Sequence, residues 1–132
     1  WEAVLPDGHR VRGLSHDAKS GCLYMHNGGD GDYSDGGTTL YAVDASDGTV
    51  HTMGTHADEP RVYQVLRRGE ELLVFGTSGK LSVYDLTNDT TVGSLKRQFD
   101  LKLSELYGAA VIGDSLFVTS KGGKLSAFRL GR

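Results

Sequence analysis

The most individual stretch of the chain is His26-Asn27-Gly28-Gly29-Asp30-Gly31-Asp32-Tyr33-Ser34-Asp35-Gly36-Gly37, in which oxygen-bearing side chains recur at alternate positions. Asp30, Asp32 and Ser34 stand where the first three ligands of a calcium loop stand, and Asp35 supplies a further hard oxygen. Such a loop also needs glycine at its sixth position and a bidentate glutamate at its twelfth, where this chain has Asp35 and Tyr41. Two readings follow: a Ca²⁺ site made by Asp30, Asp32, Ser34 and Asp35, or a solvated Gly/Asp turn, which the missing positions favour. No other cofactor is expected.

Histidine can act as a base or a metal ligand near neutral pH, and His26, His51 and His56 fall in one half of the chain. They are not spaced as ligands on one element. Ser15-His16-Asp17 spells out the members of a catalytic triad, yet adjacent residues of a strand point to opposite faces and cannot assemble one. No phosphate loop, nucleophile elbow or zinc-protease helix motif occurs, so nothing positive points to an enzyme. Cys22 is the single cysteine, which excludes an internal disulfide and a cysteine zinc cluster; beside Leu23 and Tyr24 it reads as a small buried hydrophobe.

The formal net charge of −3 gives no reason to expect nucleic acid as a partner. The basic pairs Arg67-Arg68 and Lys96-Arg97 are flanked by Glu70, Glu71 and Asp100 and read as solvated strand ends. Apolar runs fall far short of the roughly 18 residues of a membrane helix, so a soluble chain with no membrane partner is expected. The sequence starts at Trp1 without the basic-then-apolar pattern of a signal peptide, and reads as a processed or trimmed product.

The elements that must position these residues are short and β-like. Leu23-Tyr24-Met25, Leu40-Tyr41-Ala42-Val43, Leu72-Leu73-Val74-Phe75, Leu81-Ser82-Val83-Tyr84, Leu116-Phe117-Val118 and Leu125-Ser126-Ala127-Phe128 are alternating or β-branched and aromatic runs. Nineteen glycines against two prolines fall at the ends of such runs, so each consecutive pair is expected to close as a hairpin. Helical spacing is confined to Leu101, Leu103 and Leu106, where one turn is expected.

The runs also repeat. Gly79-Lys80-Leu81-Ser82-Val83-Tyr84 returns as Gly123-Lys124-Leu125-Ser126-Ala127-Phe128, and Thr39-Leu40-Tyr41-Ala42-Val43-Asp44 fits the same frame, placing Leu40, Leu81 and Leu125 at intervals of 41 and 44 residues. Four strands in a period slightly above 40 is the span of a propeller blade. The expected division is one domain over 1–132, with blade 1 over 6–56, blade 2 over 57–99, and blade 3 over 100–132 lacking its outer strand. Residues 1–5, Trp1-Glu2-Ala3-Val4-Leu5, read as a displaced outer strand that completes blade 3 or a neighbouring chain and covers an open edge.

Leu40-Tyr41-Ala42-Val43-Asp44-Ala45-Ser46-Asp47-Gly48 resembles the pyrroloquinoline-quinone-enzyme-like repeat and its WD-type relatives. Blade 2 keeps the pattern as Leu81-Ser82-Val83-Tyr84-Asp85 without the turn glycine, and blade 3 has Arg129 in place of the aspartate. The tryptophan docking pattern and quinone-binding residues of the family are not matched, so no quinone is inferred. The resemblance implies an all-β, β-propeller-like fold of three four-stranded antiparallel blades, as a partial propeller or as half of a six-bladed homodimer, since three blades do not close a ring.

It also implies that the second-to-third-strand hairpin shares a face with the linkers between blades, a face that commonly holds ligands. On it His26, Asp30, Tyr33, His56, Arg61 and Tyr107 are the polar or aromatic residues able to line a site. The function expected is a non-catalytic module for assembly or for binding a protein, small molecule or carbohydrate. The competing readings are a part of a larger propeller hydrolase, lyase or dehydrogenase, and a purely structural repeat.

Overall fold

Eleven strands are present among residues 1–6, 11–27, 38–56 and 62–131, which a computed structural model of the chain describes: β1 (Val11–Asp17), β2 (Cys22–Asn27), β3 (Thr38–Asp44), β4 (Val50–His56), β5 (Val62–Arg68), β6 (Glu71–Gly76), β7 (Lys80–Asn88), β8 (Thr91–Asp100), β9 (Leu106–Ile112), β10 (Ser115–Ser120) and β11 (Lys124–Arg129). They form three antiparallel sheets in the orders β1-β2-β3-β4, β5-β6-β7-β8 and β11-β10-β9. The protein is all-β and β-propeller-like: each sheet is a blade of sequence-adjacent hairpins, and the third has three strands. The first strands of the blades sit innermost, with β1 beside β5 and β5 beside β9.

Burial explains the strand compositions. The central strands β2, β3, β6 and β7 are covered on both sides and are almost continuously buried, whereas β1, β8 and β11 lie at sheet edges and are largely exposed. Alternation then divides each strand between two neighbours. On β6, Leu72 and Val74 pack with Tyr24, Leu40 and Ala42 of blade 1, while Leu73 and Phe75 pack with Leu106, Leu116 and Val118 of blade 3. Blade 2 is thus the middle of a three-layer stack, and each fully buried Leu or Phe contributes about 1.5–3 kcal/mol.

The same alternation corrects the reading of Arg67-Arg68 as a solvated strand end. The Arg67 side chain is only 4% exposed and turns toward blade 1. There its guanidinium donates to the Tyr24 hydroxyl (3.0 Å) and to Asp89 Oδ1 (2.6 Å), with Nε on the Gly69 carbonyl (2.8 Å) and Asp17 at 3.8 Å. Burial works against its charge, but the hydrogen bonds to Asp89 and Tyr24 outweigh it and hold the guanidinium above its ordinary value. Arg68 turns the other way, donating to Asp114 Oδ1 (2.7 Å) and the Gly131 carbonyl (3.1 Å) of blade 3. Two consecutive arginines therefore pin the middle blade to both neighbours.

Two further expectations are corrected. Leu101, Leu103 and Leu106 form no helical turn: the segment bends, with Lys102 and Glu105 at φ 56° and 47°, and drops its leucines into the cluster between blades 2 and 3. Residues 1–5 do not complete blade 3 of their own chain. They are not a strand there; Leu5 packs on the outer face of blade 1 with Met25, Tyr41 and Val43, and Trp1 Nε1 donates to the Ala45 carbonyl (3.0 Å). Gly48 admits this, because a Cβ there would lie 2.6 Å from the Trp1 ring.

Candidate functional site: the cleft at the inner-strand bulges

The three inner strands share one irregularity at the same end. Arg12 pairs with His26 and Ser15 with Tyr24, so Gly13 and Leu14 oppose a single residue of β2. Val62 pairs with Gly76 and Gln64 with Phe75, leaving Tyr63 extra; Gly108 pairs with Thr119 and Leu106 with Ser120, leaving Tyr107 extra. A bulge re-aims the residue it adds. Here the three bulges converge on one cleft of ≈ 370 Å³, lined by Arg12, Gly13, Leu14, Tyr63, Gln64 and Tyr107.

Tyr63 and Tyr107 meet edge to face with ring centroids 6.0 Å apart. The Tyr107 hydroxyl donates to Glu105 Oε2 (2.7 Å), and this bond to the carboxylate raises its pKa above the ordinary 10.0. Aromatic faces, one guanidinium and one amide suit a planar or sugar-like ligand more than a bare metal ion.

His26 lies beneath the cleft, fully buried, with Nδ1 bonded to the carbonyl of Asn27 (2.9 Å) and Nε2 making no hydrogen bond among the described residues. Burial pushes its pKa below the ordinary 6.5; the backbone of Asn27 and Tyr63 acts in the opposite direction without reversing the shift. The unfolded chain therefore takes up the proton first. Stability should be flat above pH 6.5 and fall as pH drops below it, until the folded imidazole itself titrates. Urea titrations from about pH 8 to pH 5 check this: His26→Phe should flatten the slope, and an unchanged slope would assign it elsewhere.

Gly13 is what lets the ring sit there. Its φ is +72°, and a Cβ would fall 2.6 Å from the His26 ring and 3.3 Å from the Gln64 backbone. Gly13→Ala should cost about 1–3 kcal/mol, from a strained backbone and a ring with no room to yield. A thermal midpoint within a degree of the parent would show that the bulge relaxes freely.

Of the residues singled out in the sequence, Tyr107 lines this cleft and His26 supports it from below. His56 is also buried, at the end of β4, with Nδ1 2.7 Å from the Tyr84 hydroxyl and the rings edge to face at 5.8 Å, so it joins blade 1 to blade 2. Tyr33, Arg61, Asp30, Asp32, Ser34 and Asp35 lie outside the described residues. Among the described residues no group of three or more His, Cys, Asp and Glu is placed to hold a metal. Arg12, Tyr63 and Gln64 were missed by sequence reasoning; the 44-residue interval between Tyr63 and Tyr107, the same as between Leu81 and Leu125, is the signal that could have found the pair.

No protein-family profile and no curated protein matches the chain. Among solved structures it resembles the computationally designed Ika4 protein (TM-score 0.61, 14% identity, covering 94% of this chain and 68% of that one). It also resembles the computationally designed Ika8 protein (TM-score 0.50, 12% identity, covering 91% of this chain and 46% of that one). At such identities the likeness concerns the fold alone: three blades stacked as described above.

Proposed function

We propose that this chain is an assembly and binding module, a set of three blades whose two terminal faces take up a second copy and thereby enclose the cleft at the inner-strand bulges. One observation carries the reading. Leu40 and Leu81 are 0% and 1% exposed, each buried against the next blade, whereas their repeat counterpart Leu125 is 71% exposed. Ala127, beside it, is likewise exposed where Ala42 and Val83 are buried, and Phe117 lies opposite Ala127 on the same face.

The complementary surface is at the other end of the stack. Leu23 and Met25 of blade 1 occupy the places of Leu72 and Val74 in blade 2 and of Leu116 and Val118 in blade 3, which are buried against a preceding blade. Among the described residues of blade 1, residues 1–5 cover them in part, leaving an apolar hollow of ≈ 400 Å³ among Val4, Val11, Leu14 and Leu23. Apolar side chains left open on a face in this way mark an interaction surface. Because blade 3 of one copy meets blade 1 of the next, two copies joined twice make a closed six-blade ring.

Sedimentation tests the reading. The parent should run as a dimer and Leu125→Asp as a monomer, since one carboxylate buried without a partner costs several kcal/mol. A variant that sediments like a dimeric parent would remove this face from the interface.

A further inference from the structure

Arg12 brings an unpaired charge to the cleft at the inner-strand bulges. Arg67, Arg68 and Arg97 are each held by a carboxylate, at 2.6, 2.7 and 3.0 Å. Arg12 is exposed and has no acceptor among the described residues. It stands directly opposite His26 in the β1–β2 ladder, so the two side chains share one side of the sheet, the guanidinium above and the buried ring below. Gln64 on β5 is half-buried in the same lining, and its amide is likewise without a hydrogen-bond partner among the described residues.

The lining narrows the chemistry of an occupant. A guanidinium and an amide that donate N–H groups into one cleft call for a planar acceptor, and the arginine fork matches the two oxygens of a carboxylate. Local charge argues for a single negative charge. The Glu105 carboxylate accepts the Tyr107 hydroxyl at 2.7 Å beside the cleft and would repel a dianion such as a phosphate monoester. Tyr63 and Tyr107 form the remaining wall, and ≈ 370 Å³ is near the lower end of the roughly 300–1,000 Å³ of small-molecule sites, which suits one ring more than a chain of them.

We propose that the cleft binds a carboxylate carried on a six-membered ring, aromatic or sugar, with the carboxylate on Arg12 and the Gln64 amide and the ring against Tyr63 and Tyr107. This rests on the reading of the cleft as the binding site of the module, and not on the pairing of copies, because β1, β5 and β9 of one chain supply every lining residue.

Titrations of the full chain test this, with benzoate and glucuronate as the ring acids. Benzyl alcohol and glucose are their uncharged counterparts, acetate is the carboxylate without a ring, and inorganic phosphate is the dianion. Binding is read from the ring resonances of His26, Tyr63 and Tyr107. At least one ring acid should bind about tenfold or more tightly than its uncharged counterpart, acetate and phosphate, and the one that does so names the ring. Arg12→Gln, a change at an exposed side chain that leaves the fold intact, should erase the preference for the acid. Tyr107→Ala should weaken the ring acid and leave acetate unchanged. A preference that survives Arg12→Gln, or acetate or phosphate binding as tightly as the ring acids, would overturn the proposal. A parent that sediments as a dimer and binds neither ring acid would refute it and leave assembly standing; a monomeric parent that keeps the preference would refute assembly and leave the carboxylate site standing.

Discussion

Arg67→Ala should lower the stability of the folded chain by about 2–4 kcal/mol, although the sequence places this arginine in a run of charges that looks superficial. The side chain donates to Tyr24 and Asp89 from a nearly enclosed position, so its removal loses charge-assisted hydrogen bonds together with the packing of its stem between two blades. Arg67→Lys should recover less than half of the loss, because an ammonium cannot reach Gly69, Tyr24 and Asp89 together as the planar fork does. Lys96→Ala is the comparison: its ammonium bridges Glu71 at 2.9 Å from an exposed position, and losing it should change stability far less than Arg67→Ala does. Chemical unfolding of the three variants checks the order. Equal losses for Arg67→Ala and Lys96→Ala would mean that the enclosed network contributes no more than a surface ion pair.

The second large effect separates two leucines that the repeat makes equivalent. Leu81→Ala should cost about 2–5 kcal/mol at any protein concentration, since the side chain is fully enclosed between blades 2 and 3 and its loss leaves a cavity. Leu125→Ala should behave differently. In a dilute, dissociated chain the exposed side chain contributes little, and the substitution should be nearly neutral. At concentrations where copies associate, it should lower the melting temperature in the manner of Leu81→Ala, because the same kind of contact is then lost. Melting both variants over a dilution series checks this. A Leu125→Ala effect that does not vary with concentration would show that the face is not shared between copies.

Much of the fold could be read from the residues because blade strands carry their environment in their own pattern. Leu72-Leu73-Val74-Phe75 is apolar throughout because blade 2 is covered on both sides, and the Gly-containing turns fix where each hairpin reverses. The recurrence of Leu40, Leu81 and Leu125 then counted the blades. What could not be read depends on neighbours that the local sequence does not contain. Arg67 and Arg68 are alike as residues, and only the strand's alternation between two flanking blades separates an enclosed guanidinium on blade 1 from a partly exposed one on blade 3. The bulges at Gly13, Tyr63 and Tyr107 are single extra residues, which no periodicity registers until pairing partners are known.

The candidate site was legible in part for the same reason. Tyr107, which the resemblance puts on the linker face, lines the cleft. His26 and His56 read as polar groups by residue type and are buried; for His26 the repeat indicates it, because His26 stands opposite Leu40 as Phe75 stands opposite Leu81 and so occupies a core position. Residues 1–5 read as an outer strand displaced from its own blade, whereas they carry no strand pairing and lie on the face of blade 1. Where they lie is set by Leu5 and Trp1 on blade 1, a long-range contact with no local signature.

Assembly requires that the exposed face of blade 3 and the partly covered face of blade 1 meet between copies. Light scattering on the unaltered chain over a dilution series measures this most directly. It should give twice the 14.2 kDa of a single chain at high concentration, falling toward one chain mass on dilution and staying there for Leu125→Asp. A mass of one chain at every concentration, or one that grows without limit and never plateaus at two, would contradict it.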